Sequence, residues 1–265
     1  CIEWQRTKGD NVFYFSGMIM RAINGSLSFF FSQPNSLFTT ALLIAAPLLI
    51  NIWWCSVIFS TAFIGWCYQL IQNLAQGKHQ LPSLSRPYWV LSGVLITAIS
   101  WLLLPLSFVP SLIFGGLSVP QLLYDIKVLV VASEALSRYD VIIYYWETYK
   151  WPLFFMLIGS PCFWLLIAIN ESAVYDNEKY KPVFWLRIIQ QYNGLLLKLI
   201  MAVTGVFIVY SIMAGVLEFI TGTNWLFLQD LLFFAWSITN AYLLGMFACT
   251  VRLQDSMRRA HRAAL

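Results

Sequence analysis

Charge is what this sequence has least of. Only 11% of its 265 residues are Asp, Glu, Lys or Arg, against about a quarter in a soluble globular protein, whose surface must be wetted. So little charge cannot cover a soluble body of this size, which excludes a soluble enzyme domain. The 60% apolar content excludes a disordered chain. The net charge of +4 is spread along the chain rather than gathered on one face, so no nucleic-acid partner is expected. Histidine is almost missing. His79 and His261 are the only two, and both fall in polar segments. A haem held by two histidines across helices is excluded, and a His-based metal site inside a membrane is disfavoured. A lipid, or a pigment held through Asn, Gln or water, stays open as a cofactor. The five cysteines include no CxxC, and four of them lie in apolar segments, where a thiol behaves as a small hydrophobe. Cys1 reads as a numbering that begins inside a longer chain. The other reading, a lipidated N-terminal Cys, needs an external N-terminus. HExxH, GxSxG, the P-loop and a strand-borne GxGxxG are all missing, so neither a catalytic nor a metal-binding set is expected.

Apolar and aromatic residues are what is abundant: 20 Phe, 13 Tyr and 12 Trp, with a mean hydropathy of +0.71. The chain reads as an all-α, polytopic integral membrane protein in a single domain. A helix crossing ~30 Å of hydrocarbon needs about 20 apolar residues. Between Arg21 and Lys78 there are 56 uncharged residues, and Leu37–Ala75 as one helix would reach about 58 Å. That is two spans, broken near Pro47 and Asn51. Six spans follow at about 34–50, 52–74, 88–116, 151–169, 194–219 and 225–250, the third kinked by Pro105 and Pro110. With both termini cytoplasmic, 13 of the 16 basic residues fall inside, including Arg252, Arg258, Arg259 and Arg262 of the tail. A bacterial-type inner or energy-transducing membrane is the expected location.

Two further segments read as interfacial helices. Residues 12–31 lead into the first span. In 119–148, apolar residues recur at three- and four-residue steps around Asp125, Glu134 and Arg138, followed by Tyr144-Tyr145-Trp146 in the style of a headgroup belt. This helix caps the bundle or docks a partner, with Glu134, Arg138, Tyr144, Tyr145 and Trp146 as the docking candidates. The stretch 170–187 reads as a polar cytoplasmic elbow that turns amphipathic after Pro182. Ionisable residues inside spans are the default functional suspects. Glu218 and Asp230 fall near the outer ends of the fifth and sixth spans, and Lys198 lies one turn from the inner end, able to snorkel. The two carboxylates either reach the outer headgroups or form an acidic mouth. Together with Asn240 they mark a possible polar pathway. Asn51, Asn170 and Asn240 otherwise read as interhelical glue.

Three stretches together resemble a bacterial and archaeal polytopic membrane family known only as a domain of unknown function, number four thousand and thirteen. They are PLLINIWWCSVIFSTAFIGWCYQLIQNLAQGKHQLP (47–82), FWLRIIQQYNGLLLK (184–198) and AYLLGMFACTVR (241–252). They carry a Pro-then-Asn break, an amphipathic helix closing on Asn, and a small-x-Leu-Leu-Gly step before a basic tail. The stretch SLSRPYWVLSG after Pro82 departs from the acidic, aromatic run usual in that family. The resemblance implies the fold and assigns no activity. The expectation is therefore a non-catalytic accessory or assembly subunit of a larger membrane complex, in contact with lipids and other membrane subunits. The alternative is a small-solute or lipid transporter with its path between the kinked third span and spans five and six.

Overall fold

A computed structural model describes residues 23–33, 53–82, 90–100, 159–221 and 226–263, with 109, 113, 118–121 and 123–124 between them. The described residues are helices and turns, with no strand among them. The expected span 34–50 and the docking candidates Glu134, Arg138, Tyr144, Tyr145 and Trp146 lie outside the described residues. By its contacts the chain divides into two units, 1–96 with 165–265, and 97–164. In the second unit the Ser118 hydroxyl accepts the Gln121 N–H at 3.3 Å, capping a helix at the point where the outer amphipathic segment is expected to begin.

In the first unit, α1 (23–31) precedes α2 (Trp53–Ala75), the helix expected over 52–74. α2 ends at Gly77 (φ 75°), where the Lys78 N–H donates to the Asn73 carbonyl at 2.8 Å and the Gly77 N–H to Leu74 at 2.9 Å. These two bonds and the left-handed glycine stop the helix and satisfy its last carbonyls. Gln33 then ties the following turn to the end of α1. It donates to the His79 carbonyl at 3.2 Å and accepts the Leu81 N–H at 2.9 Å.

α3 is Val90–Ser100 and α4 is 159–171. α5 (Pro182–Gln191) begins on a proline at its first helical position, where a missing N–H costs nothing. A single residue, Tyr192, separates it from α6 (Asn193–Thr221), and α7 (Leu226–Ala263) follows. Two helices among the described residues are long and apolar enough to cross a membrane: Asn193–Leu217, of 25 residues, and Leu232–Ala263, of 32. They overlap the fifth and sixth expected spans, at 194–219 and 225–250, the second only in part. α2 is uncharged over its 23 residues, and its C-terminal half carries Tyr68, Gln69, Gln72 and Asn73. The basic tail differs from expectation in one respect: it continues α7 as helix to Ala263, with His261 and Arg262 in the last turn, where cations suit the helix dipole.

The core lies where α2 packs along α7. Trp66, Leu70, Ile71 and Leu74 are inaccessible on α2, and Ala241, Leu244, Ala248 and Val251 face them at helical spacing on α7. Gly245 sits at the crossing. A Cβ there would lie 2.8 Å from Leu74 Cβ and 3.3 Å from Ile71 Cα, so only glycine lets the two helices come this close. Gly93 of α3 does the same against α2, where its Cβ would overlap the Thr61 carbonyl and meet Gly65. Inside a bilayer, such close approach through small residues holds helices together where water cannot drive them. An aromatic column adds to it. Trp66 stacks on Phe30 and Phe63, and Phe63 meets Phe234 edge-on at 4.7 Å.

Candidate functional site

Where α4 ends, the sequence turns from an apolar run to Asn170-Glu171-Ser172, and all three side chains are buried. A buried carboxylate is costly unless it is paired and hydrogen-bonded, and Glu171 is both. Its Oε1 accepts the Tyr68 hydroxyl of α2 at 2.8 Å, and that hydroxyl accepts Gln72 Nε2 at 2.8 Å. Its Oε2 lies 3.4 Å from Lys179 Nζ, which also reaches Asp176 at 3.1 Å. Burial pulls the Lys179 ammonium down. The hydrogen bond it donates to Asp176 and the charge of Glu171 outweigh that and hold it above the usual lysine range. Asn170 Oδ1 accepts the Tyr180 N–H at 2.6 Å, fixing a residue with left-handed backbone (φ 63°).

The same loop is held from the other side by the helical tail of α7. Arg259 donates Nη2 to both oxygens of Glu178, at 2.9 and 2.8 Å. It also donates Nε and Nη2 to Asp255, at 2.9 and 2.6 Å. Tyr175 lies beneath this guanidinium, 5.2 Å away. Arg187 of α5 adds charge to both carboxylates at 3.5 and 3.6 Å without a hydrogen bond from its Nη2. Two guanidiniums thus share two carboxylates. Beside them Arg258 covers the Tyr192 ring at 5.0 Å. Burial, with the charge of Asp255, pushes the Tyr192 hydroxyl up against the opposing pull of Arg258, Arg187 and Arg259.

The arrangement ties the ends of α2, α4, α5 and α7 to one loop. The four carboxylates with described side chains (Glu171, Asp176, Glu178 and Asp255) are all ion-paired. Among the described residues there is no group of three His, Cys, Asp or Glu that could hold a metal. Chemically the network is a joint.

The sequence-derived candidates lie elsewhere. Glu218 falls in the last turn of α6 and Asp230 near the start of α7, at the ends that the chain joins. Asn240 is ten residues beyond Asp230, about 15 Å along α7. Its Oδ1 and the Nε1 of Trp236, one turn away, have no hydrogen-bond partner. Nearby, the Thr239 hydroxyl donates to the Ala235 carbonyl at 2.8 Å and lies 3.4 Å from Tyr210 of α6. Asn170 clamps a loop rather than gluing helices, and Lys198 is exposed. Reading the sequence by spans missed Glu171, Glu178, Asp255 and Arg259. The i,i+4 spacing of Asp255 and Arg259 was a usable signal, as was a carboxylate placed directly after an apolar run. No family model, curated protein or solved structure matches this chain.

Proposed function

We propose that the protein is a non-catalytic, multi-pass membrane subunit that packs against other subunits of a larger complex. One observation carries this reading. α6 is apolar and exposed along its whole length, through Leu197, Ile200, Phe207, Ile208, Ile212, Val216, Phe219 and Ile220. A contiguous exposed apolar face of that extent belongs in lipid or against a partner, not in water. The ion-paired state of the described carboxylates agrees with it, because a joint fixes a shape that a partner can recognise. The six-span topology, cytoplasmic termini, an inner or energy-transducing membrane and membership in the resembled family belong to the same proposal.

Gentle solubilisation from the native membrane, followed by native-gel sizing and mass spectrometry of co-migrating chains, tests it. A stoichiometric assembly well above 30.4 kDa is expected, released by the double change Glu134→Lys and Arg138→Glu without loss of folding. A lone monomer would sink the subunit reading. A second reading, a small-solute or lipid transporter, draws on the unpartnered Asn240 Oδ1 and Trp236 Nε1 within α7. It requires a flux through the reconstituted chain that Asn240→Leu abolishes.

A further inference from the structure

Three features meet where α5 gives way to α6. The first is Tyr192, which is 4% exposed and whose hydroxyl has no hydrogen-bond partner. A buried hydroxyl left in that state is costly. The second is Arg258, whose guanidinium lies over the Tyr192 ring. Arg258 is exposed and, among the described residues, forms no ion pair. Asp255, three residues away, is already neutralised by Arg259 and Arg187, so the charge of Arg258 is left over. The third is a mainly apolar cleft between α6 and α7, only about the size of a water molecule, lined by Leu195, Met246, Phe247 and Thr250. The Thr250 hydroxyl turns away to the Met246 carbonyl at 2.8 Å, so the cleft offers no side-chain donor of its own.

Helix geometry puts these features in line. Phe247 and Arg258 are eleven residues apart, three turns, hence on one face of α7, with Arg258 about 16 Å farther along. On the facing helix Leu195 lies one turn beyond Tyr192. An apolar surface therefore lies below a cation backed by an unsatisfied hydroxyl. That is the layout of a lipid tail below a charged headgroup. Val183 and Leu186 of α5 and Leu197 of α6 are exposed close by in the chain, as an interfacial elbow beside acyl chains would leave them.

We propose that this is a phospholipid site. The phosphate of an anionic lipid sits on Arg258 and, as Arg258 swings outward to meet it, takes the Tyr192 hydroxyl as a second donor. One acyl chain lies across the apolar surface over that cleft, along Leu195, Met246 and the exposed Leu197. The proposal rests on the reading that α6 and α7 cross a bilayer. Arg187 takes no part in it, because Glu178 and Asp255 already balance its charge.

The test is native mass spectrometry of the full chain in detergent, titrated with phosphatidylglycerol, with phosphatidylcholine of the same chains, and with inorganic phosphate. The wild type should prefer phosphatidylglycerol by roughly tenfold, because phosphatidylcholine offers the same phosphate but cancels its charge with a choline cation that Arg258 repels. Arg258→Gln should erase that preference, and Tyr192→Phe should lower the affinity for both lipids about threefold, since both carry the phosphate. Lys198→Gln, which removes an exposed cation from outside the site, should leave it intact. Should Arg258→Gln fail to fold, Arg258→Lys keeps the charge and is expected to retain part of the preference. Equal binding of the two lipids, or equal losses in Lys198→Gln and Arg258→Gln, would overturn the site while leaving the membrane reading standing. Displacement of phosphatidylglycerol by equimolar inorganic phosphate would assign the site to a soluble anion instead. A chain that binds neither lipid and stays soluble without detergent would overturn the membrane reading itself.

Discussion

Glu171 is the residue on which the joint depends. Its carboxylate has lost water, and it has gained one hydroxyl donor from α2 and one ammonium from the loop. Removing one partner of a buried pair leaves the other uncompensated, which costs more than the pair itself contributes. Glu171→Gln keeps an acceptor for Tyr68 but leaves the partly exposed Lys179 with Asp176 as its one ion-pair partner. A loss of about 2 kcal/mol is expected, read as a lower melting temperature in detergent. Glu171→Leu should cost more, because the Tyr68 hydroxyl is then orphaned as well. The pH dependence follows from two protons held more tightly in the folded chain. Lys179 is raised from 10.5 and Tyr192 from 10.0. A group whose folded pKa is raised contributes fully below its unfolded value, and that contribution is lost as pH climbs through the folded one. Thermal stability should therefore hold from neutral pH to about 10 and fall above it. An increase in stability above pH 10 would contradict both assignments.

Helices carry the next scale, and here the sequence was read well in some places and poorly in others. The ends of α2, α5 and α6 were legible because local chemistry decides them: Gly77 stops α2, Pro182 starts α5, and an apolar run from Gly194, broken only by Lys198, fixes α6. The joint was not legible. It assembles Tyr68, Glu171, Glu178 and Arg259 from segments far apart in sequence, and periodicity registers only neighbours three or four residues apart. The helical tail of α7 was missed for a related reason. Residues 251–263 are too polar for a span, so they read as a tail. What makes them helix is continuation of α7 together with Asp255–Arg259 and Arg259–Glu178 pairing. If that pairing restrains the loop, Arg259→Ala should speed tryptic cleavage after Lys179 several-fold relative to the unaltered chain, because cleavage follows the population of the open loop. An unchanged cleavage rate would mean that Glu171 and Asn170 hold the loop without help from α7.

At the scale of the whole molecule, everything proposed hangs on α6 and α7 crossing a bilayer with the joint at the inner end. Composition made the membrane reading legible at once, since 11% charge leaves too little polar surface for water. The count of six spans rests on sequence periodicity and the Lys/Arg bias, whereas the described helices supply two. The most direct measurement is side-specific thiol labelling in sealed native vesicles, on a cysteine-free background carrying single cysteines at Asp176, Thr223 or Arg262. Asp176 and Arg262 should label only from the cytoplasmic side and Thr223 only from the other. Labelling of all three from one side would contradict the account: α6 and α7 would then not cross the membrane, and the lipid site between them would have no bilayer to face.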